Sequence, residues 1–372
     1  MSGAAPLVLA VNPGAGSTKL ALFGGEALQA EATLRHGDEA LARFARVSDQ
    51  LPWRLDGIRR WLAGQEVGAL AAVAARGGLF KPVACGTYLV DEEMLSDALQ
   101  ALRGEHAANL GAPLARALAD ERGCPAFVVD PVSVDELSPI ARYTGLAGVE
   151  RTSLCHALNM RAVARRHAAA AGRRLEDLRL VVAHLGTGAS LCALAEGRLV
   201  DVVNPQDEGP FSGDRAGGLP ATALISLCFA PGADERALRR RLFGDGGLFS
   251  YLGTRDVREV AARAAAGDAF AAEVLAAMAY QLGKAVGEMA VALAGRVDAV
   301  LLTGGAAHCA PLVEAVRARV AWIAPVVVSP GEDELRALAE AAGRVLRGEE
   351  RARSYGRGSD RAATSPAPPR PR

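Results

Sequence analysis

Lysine is nearly missing from this 372-residue sequence: Lys19, Lys81 and Lys284 are the only three, and arginine supplies the rest of the positive charge. No apolar run reaches the ~20 residues that a membrane-crossing helix needs. Residues 1–10 carry no basic segment, and their apolar stretch runs straight into Asn12-Pro-Gly14. That start reads as a first strand, not as an export signal. The six cysteines (Cys85, Cys124, Cys155, Cys192, Cys228, Cys309) include no CxxC pair, which argues against a zinc or redox motif. Buried free thiols in a cytoplasmic protein are the expectation. Net charge is absent as well, with 42 basic and 42 acidic residues. The chain therefore lacks the basic footprint of a nucleic-acid binder, and neither nucleic acid nor membrane is expected as a partner.

The zero conceals an asymmetry. Residues 351–372 hold six Arg against one Asp, which leaves a slightly acidic body over 1–350. This last segment has little to bury and repeated proline, so a disordered tail is expected there.

What is present is globular. Half the residues are hydrophobic and 23% are charged, and the length suits about two domains. Short apolar runs at 7–11 and 19–23 flank a Pro/Gly/Ser turn and read as a hairpin. Further strands are expected at 70–75, 88–90 and 126–129, with helices at 38–50, 92–102 and 107–121. A helix at 153–171 precedes strands at 180–183, 190–195 and 198–203. Long helices at 256–266 and 268–294 follow. Strands at 299–303 and 326–329 then alternate with helices at 308–320 and 332–347. The class is α/β.

A repeat lies within that alternation. The segment from Leu7 to Phe23 is strand, glycine-rich turn, strand, and the segment from Leu180 to Leu194 repeats the design half a chain later. Glycine-rich turns let backbone N–H groups approach an anion closely, so two such turns suggest a phosphate ligand shared by two similar domains. The first turn, Pro13-Gly-Ala-Gly-Ser-Thr-Lys19, imitates two other motifs. A P-loop needs GxxxxGK[ST] opening a helix, and a dinucleotide fingerprint needs GxGxxG; here a strand follows and Lys19 stands in the third glycine's place. Further candidates for chemistry are Arg76-Gly-Gly78, His106-Ala-Ala-Asn109, Asp130, His156, His184, Arg215 within Gly213–Pro220, Thr303-Gly-Gly305 and Glu332-Asp-Glu334. Taken singly, each has a bland alternative: a core histidine, a turn cap, a surface arginine, or acids that suit a helix N-terminus.

Together these segments resemble the acetate and butyrate kinase family, within the actin, sugar-kinase and heat-shock-chaperone superfamily. The residues that carry the likeness run in order from Asn12-Pro-Gly14 and Ser17-Thr-Lys19 through Ala75–Pro82, His106–Gly111, Val129–Glu136, His156–Asn159 and Ala183–Gly188. They continue through Asp207–Pro220, Tyr251–Thr254, Leu302–Gly305 and Pro330–Leu335. Asp207-Glu-Gly-Pro-Phe-Ser and Val129-Asp-Pro-Val-Ser-Val-Asp-Glu bring the chain closer to the butyrate kinases than to the acetate kinases.

The resemblance implies an α/β fold of two ribonuclease H-like domains, each a mixed five-stranded sheet with helices, flanking a nucleotide cleft. It implies an N-terminal domain of residues 1–155 plus a returning helix at 335–350, and a nucleotide-binding domain at 156–334. Asn12, Ser17 and Lys19 match the first phosphate-binding hairpin. Arg76 and Arg215 match arginines that hold the carboxylate and the transferring phosphoryl group. His106, Asp130 and His156 match positions lining the catalytic cleft, Asp130 near magnesium. His184, Gly186 and Gly188 match the second phosphate turn, and Gly304 and Gly305 the adenosine-binding turn. One acid among Glu332, Asp333 and Glu334 matches a magnesium-linked glutamate. The implied reaction is ATP-dependent phosphorylation of a short-chain carboxylate to an acyl phosphate, with Mg²⁺. A homo-oligomer and metabolic coupling to a phosphate acyltransferase are implied too.

Two features depart from the pattern. Ala15 and Gly16 stand where the family often has hydroxyl residues, and Thr187 replaces a more usual Gly or Asn. The first departure leaves open a nucleotide-binding module with weakened catalysis, and an acetate kinase-like chain-length preference is the other alternative. Leu79 and Phe80 are candidate walls of an acyl pocket.

Overall fold

The computed structural model describes residues 5–66 and 68–356. They form two units. The first contains the described residues up to Asp135 and those from Asp333 onward, and the second is Glu136–Glu332. The sequence reading sets these breaks at 155/156 and 334/335.

In the first unit, β1 (Leu7–Pro13) and β2 (Ser17–Gly24) make the hairpin, with Asn12 opposite Lys19. β1 pairs on its other side with β4 (Leu70–Arg76) in parallel. Every residue of β1 after Leu7 is buried, as in a strand covered on both faces, so its apolar run shows no alternation. β3 (Ala27–Arg35), which the sequence reading lacks, pairs with β2 and alternates between exposed and half-buried positions. β6 (Ala126–Val129) adds to β4 in parallel, and β5 (Thr87–Leu89) pairs antiparallel with β6. With β12 (Arg353–Ser354), the order is β12-β5-β6-β4-β1-β2-β3.

The second unit carries β7 (Leu180–Leu185), β8 (Ala189–Ala195), β9 (Arg198–Val203), β10 (Ala299–Gly304) and β11 (Val326–Pro330) in the order β11-β10-β7-β8-β9. The antiparallel meander β7-β8-β9 and the parallel series β7-β10-β11 reproduce β1-β2-β3 and β1-β4-β6. The repeat seen in two hairpins is thus a repeat of topology. The expected five strands are all that the second sheet contains; the first extends the same five with β5 and β12.

One expected helix is misplaced. Residues 38–50 contribute a single helical turn, Asp38–Leu41, with no buried side chain, and a 3-10 turn at Ser48–Gln50. Helices in proteins persist mainly by burying a face. The helix instead spans Leu51–Ala63, with Pro52 in its first turn, where its missing N–H costs nothing. It buries Arg54, Leu55, Ile58 and Leu62. The first core gathers Leu55, Ile58 and Leu62 around Leu9, Val11, Val73, Leu114 and Leu118. The second gathers Val181, Leu191 and Leu302 against the helix Ala269–Ala292, whose N-terminus is capped by Asp268.

The tail expectation is corrected at its start. Residues 351–356 are ordered: β12 pairs with β5, and Tyr355 is 3% exposed. The Tyr355 hydroxyl donates to Asp97 Oδ2 at 2.6 Å and accepts from the Lys81 amide at 2.8 Å. One amphipathic ring anchors a segment whose composition reads as unstructured. Residues 357–372 lie outside the described residues. The thiol expectation also needs amending. All six cysteines are free, but Cys124 is only half-buried and Cys228 is exposed, at the end of the helix Ala221–Cys228, which buries no side chain. Among the described residues no helix is long and apolar enough to cross a membrane.

Candidate active site

In the first unit the candidate side chains sit at the C-terminal ends of the parallel strands β1, β4 and β6, the edge where α/β proteins bind ligands. Asn12, near the end of β1, donates through Nδ2 to Glu334 Oε2 at 2.5 Å. Arg76, the last residue of β4, donates through Nη1 to the same oxygen at 3.3 Å. Glu334, the first residue of the helix Glu334–Leu346, is buried. Of the three acids at 332–334, Glu334 is therefore the one joined to Asn12 and Arg76. Asp333 has a left-handed backbone (φ 30°), and its carboxylate pairs with Arg336 at 3.1 Å. Asp130, directly after β6, is also left-handed (φ 35°). Its Oδ1 accepts from the Gly86 amide at 2.6 Å, and its own amide donates to the Gly86 carbonyl at 3.0 Å. A non-glycine residue held in this region is strained backbone, which clusters at functional sites.

The turn after β4 is braced from behind. Asn109, buried, accepts from the Leu79 amide at 2.8 Å and donates to the Gly104 carbonyl at 3.0 Å. Gly111 packs so closely that a Cβ there would collide with the Arg76 carbonyl oxygen. His106 is exposed, and its Nδ1 accepts from the Ala108 amide at 3.1 Å, capping the turn Ala107–Leu110. Ser17 is half-buried at the hairpin mouth, and Lys19 is exposed opposite Asn12.

The second unit repeats the placement with different chemistry. His184, at the end of β7, is fully buried. Its Nδ1 lies 3.1 Å from Asn159 Oδ1. Asn159 Nδ2 donates to the Glu332 carbonyl at 2.6 Å, which fixes the amide so that Oδ1 can only accept. His184 Nδ1 therefore carries the proton of this hydrogen bond. Nε2 lies 3.5 Å from Glu332 Oε1 and makes no hydrogen bond. Thr303 Oγ1, from β10, sits between Asn159 Oδ1 (3.1 Å) and the Gly331 carbonyl (3.0 Å). The His156 ring stacks on His184 with centroids 3.9 Å apart, and its Nδ1 lies 2.8 Å from Ser190 Oγ.

The turn Gly186-Thr-Gly188 closes through Gly186 N to Gly188 O at 2.9 Å. The Thr187 carbonyl accepts from the Ser212 hydroxyl and from the Asp214 amide. Arg215 lies alongside, its Nε 3.1 Å from where a Gly188 Cβ would stand. Burial pushes the Asp214 carboxyl above the usual range, opposed by the nearby Arg215 and Arg255 charges. Gly304, at the end of β10, has φ 91° and packs against the Leu185 backbone, and Gly305 begins the following 3-10 turn.

Folded proteins leave few buried polar atoms unbonded. Among the described residues, four such atoms belong to these two sets: Asn12 Oδ1, His184 Nε2, Asp214 Oδ1 and Arg215 Nε. Both strand-end sets combine cations or amides with glycine turns, which is chemistry suited to anions. No cluster of three or more His, Cys, Asp or Glu that could hold a metal occurs among the described residues. Magnesium does not require one, since it is usually held by one or two carboxylates together with substrate phosphates. Asp130 and Glu334 fit that lighter requirement.

Sequence reasoning passed over Ser190 and Arg54. A signal for Arg54 existed: it falls on the stripe Leu51, Leu55, Ile58, Leu62, where a charge is out of place.

Comparison with known proteins places these features in context. Residues 141–323 match the model of the acetokinase family. The chain is 47% identical to a probable butyrate kinase of Enterococcus faecalis, over 94% of this chain and 97% of that one. It is 43% identical to a probable butyrate kinase 2 of Caldanaerobacter subterraneus subsp. tengcongensis, over 94% and 99%. The crystal structure of Porphyromonas gingivalis acetate kinase superimposes with a TM-score of 0.73 at 19% identity, covering 91% of this chain and 99% of that chain. The fold is shared.

Proposed function

The chain belongs to the acetokinase family, and from that premise we propose that both strand-end sets serve one reaction, transfer of the γ-phosphoryl group of ATP to a short-chain carboxylate. The relatives named as butyrate kinases favour an acid of butyrate size or a branched relative. The observation that carries the reading is the convergence of Asn12 and Arg76 on Glu334 at the ends of β1 and β4. A cation held at a strand end suits an anionic acceptor, which supports the reading.

The chemistry asks little of a base. A carboxylic acid with a pKa near ~4.3 is already ionised at neutral pH. One carboxylate oxygen attacks the γ-phosphorus, a P–O bond forms, and the bond from that phosphorus to the β,γ-bridging oxygen breaks. ADP leaves with the electron pair, and no proton moves. The obstacle is that an anion attacks a polyanion, so catalysis is positioning plus electrostatic stabilisation. Arg76 holds the carboxylate and Arg215 the transferring group. Lys19 and the amides of both glycine turns receive phosphate oxygens. His156, steadied by Ser190 and by stacking on His184, donates a hydrogen bond to the transferring oxygens. His106 and Asp130 line the same site, and Gly304 and Gly305 receive the adenosine. Asp130 and Glu334 would hold Mg²⁺, which when bound neutralises charge on the phosphates.

The substrates and free thiols suit the cytoplasm. The acyl phosphate is a substrate for a phosphate acyltransferase, and the protein works as a homo-oligomer. One methylene in an apolar pocket discriminates by only about 1–3 kcal/mol, so a graded preference among neighbouring chain lengths is expected. Purified protein with ATP, Mg²⁺, hydroxylamine and acids of two to five carbons should yield acyl hydroxamate, most with the four-carbon acids. Product with acetate alone would favour the acetate kinase reading, and no product with any acid would overturn the proposal.

A further inference from the structure

Arg54 reaches the first glycine turn from behind. It is 1% exposed, the largest fully buried side chain among the described residues. Its Nη1 donates to the Gly14 carbonyl at 2.9 Å, to Thr18 Oγ1 at 3.1 Å and to the Ser17 carbonyl at 3.3 Å. Nη2 donates to the Ala15 carbonyl at 3.1 Å. Gln50 Oε1 accepts from Nε at 3.0 Å and from Nη2 at 2.8 Å, holding the guanidinium in place. The remaining carbonyl, that of Gly16, accepts from the His36 amide at 2.9 Å. Every carbonyl from Gly14 to Ser17 is thus engaged by the protein. The Gly14 amide turns back to the Ser17 carbonyl at 2.7 Å. The amides of Ala15 and Gly16, both exposed, donate to no protein acceptor among the described residues.

The charge of Arg54 is as telling as its hydrogen bonds. A buried cation is ordinarily paired with a carboxylate, because removing it from water costs several kcal/mol. All of Arg54's partners are neutral: carbonyls, a hydroxyl and an amide. Burial brings its pKa down only to about 10, so it stays cationic at neutral pH. His36, whose Nε2 lies 2.9 Å from Thr18 Oγ1, is pushed down to about 4 by burial and by the Arg54 charge, and adds no second cation.

We propose that Arg54 is a positioning residue for the nucleotide phosphates: it draws the carbonyls of the turn inward, leaves the Ala15 and Gly16 amides for phosphate oxygens, and stands behind them as the buried counter-charge. This deepens the proposed function and rests on it. It also accounts for the missing hydroxyls at positions 15 and 16. The turn binds through its backbone, and the guanidinium supplies what side chains there do not.

The test compares Mg·ADP binding by calorimetry, steady-state kinetics and thermal melting for the wild type, Arg54→Lys and Arg54→Gln. Arg54→Lys keeps the charge but loses the fork, and should weaken Mg·ADP roughly tenfold, the size of one lost charge-assisted hydrogen bond. Arg54→Gln should weaken it further. KM for the nucleotide should rise while KM for the carboxylate stays within about twofold, a split that general loosening of the fold would not give. Unchanged affinity in Arg54→Lys would overturn the inference, and so would an equal rise in both KM values. If neither Arg54 variant folds, Ala15→Asp on the exposed side of the turn decides. A tenfold or greater loss of Mg·ADP affinity supports the inference, and an unchanged affinity overturns it. A wild type that binds no Mg·ADP at all would instead refute the proposed function.

Discussion

The two sheets run their strands in the same order, yet they finish them differently. The first ends β1 and β4 in charge: Asn12 and Arg76 meet on a buried carboxylate. The second ends β7 and β10 in His184 and Thr303, joined through Asn159, with the His156 ring stacked on His184. The glycine turns differ in the same spirit. Arg54 grips the first by its carbonyls, whereas the second is held by the Ser212 hydroxyl and presents an arginine, Arg215, at its side. A repeated scaffold fixes where side chains arrive, and the residue types delivered there differ between the two units.

The largest expected effect separates those shares. Arg215→Ala should lower kcat by roughly 10³ or more, the scale of an arginine acting on a transferring phosphoryl group, with thermal melting unchanged. Normal turnover would remove Arg215 from the site. A smaller effect sharpens the comparison through two buried asparagines. Asn109→Leu frees the turn that carries Arg76, and should raise the carboxylate KM by about tenfold, given the cost of leaving the half-buried Leu79 amide unbonded. Asn159→Leu releases His184 and the Glu332 carbonyl, and should act instead on kcat and on the nucleotide KM. If the two variants exchanged phenotypes, the division between the units would fail.

The smallest effect is on stability. His36, which follows β3, bonds to the first turn and is held at about 4, below its ordinary 6.5. Between those values the unfolded chain binds a proton that the folded chain refuses. The contribution is therefore complete above 6.5 and is lost as pH falls toward 4. Urea melts of wild type and His36→Asn across that window should show a steeper loss in the wild type. Parallel curves would contradict the assignment.

Much of this was legible in the sequence. Strand β6 fell where expected, and the repeated hairpins announced the repeated sheets, because buried strands read as plain apolar runs. Edge strand β3 escaped because its alternation is weak and its residues Glu31, Thr33 and Arg35 look like surface. The helix Leu51–Ala63 escaped because Pro52 and Gly57 suggest a breaker, although proline suits a first turn. For the candidate site, motif order offers the residues, but only packing distinguishes Glu334 from Asp333, one turned to Asn12 and Arg76 and the other to Arg336. The apolar stripe of its helix marks Arg54 as out of place, but its partners, carbonyls some forty residues earlier, are visible only in the fold.

Whether charges from both halves act on one transfer is decided by a double-mutant cycle in kcat/KM with Arg76→Ala and Arg215→Ala. Two groups serving one transition state are strongly non-additive. The double variant should lose far less than the product of the two single losses, while melting like the wild type. Losses that simply multiply would mean that the two arginines act independently, and would contradict the account.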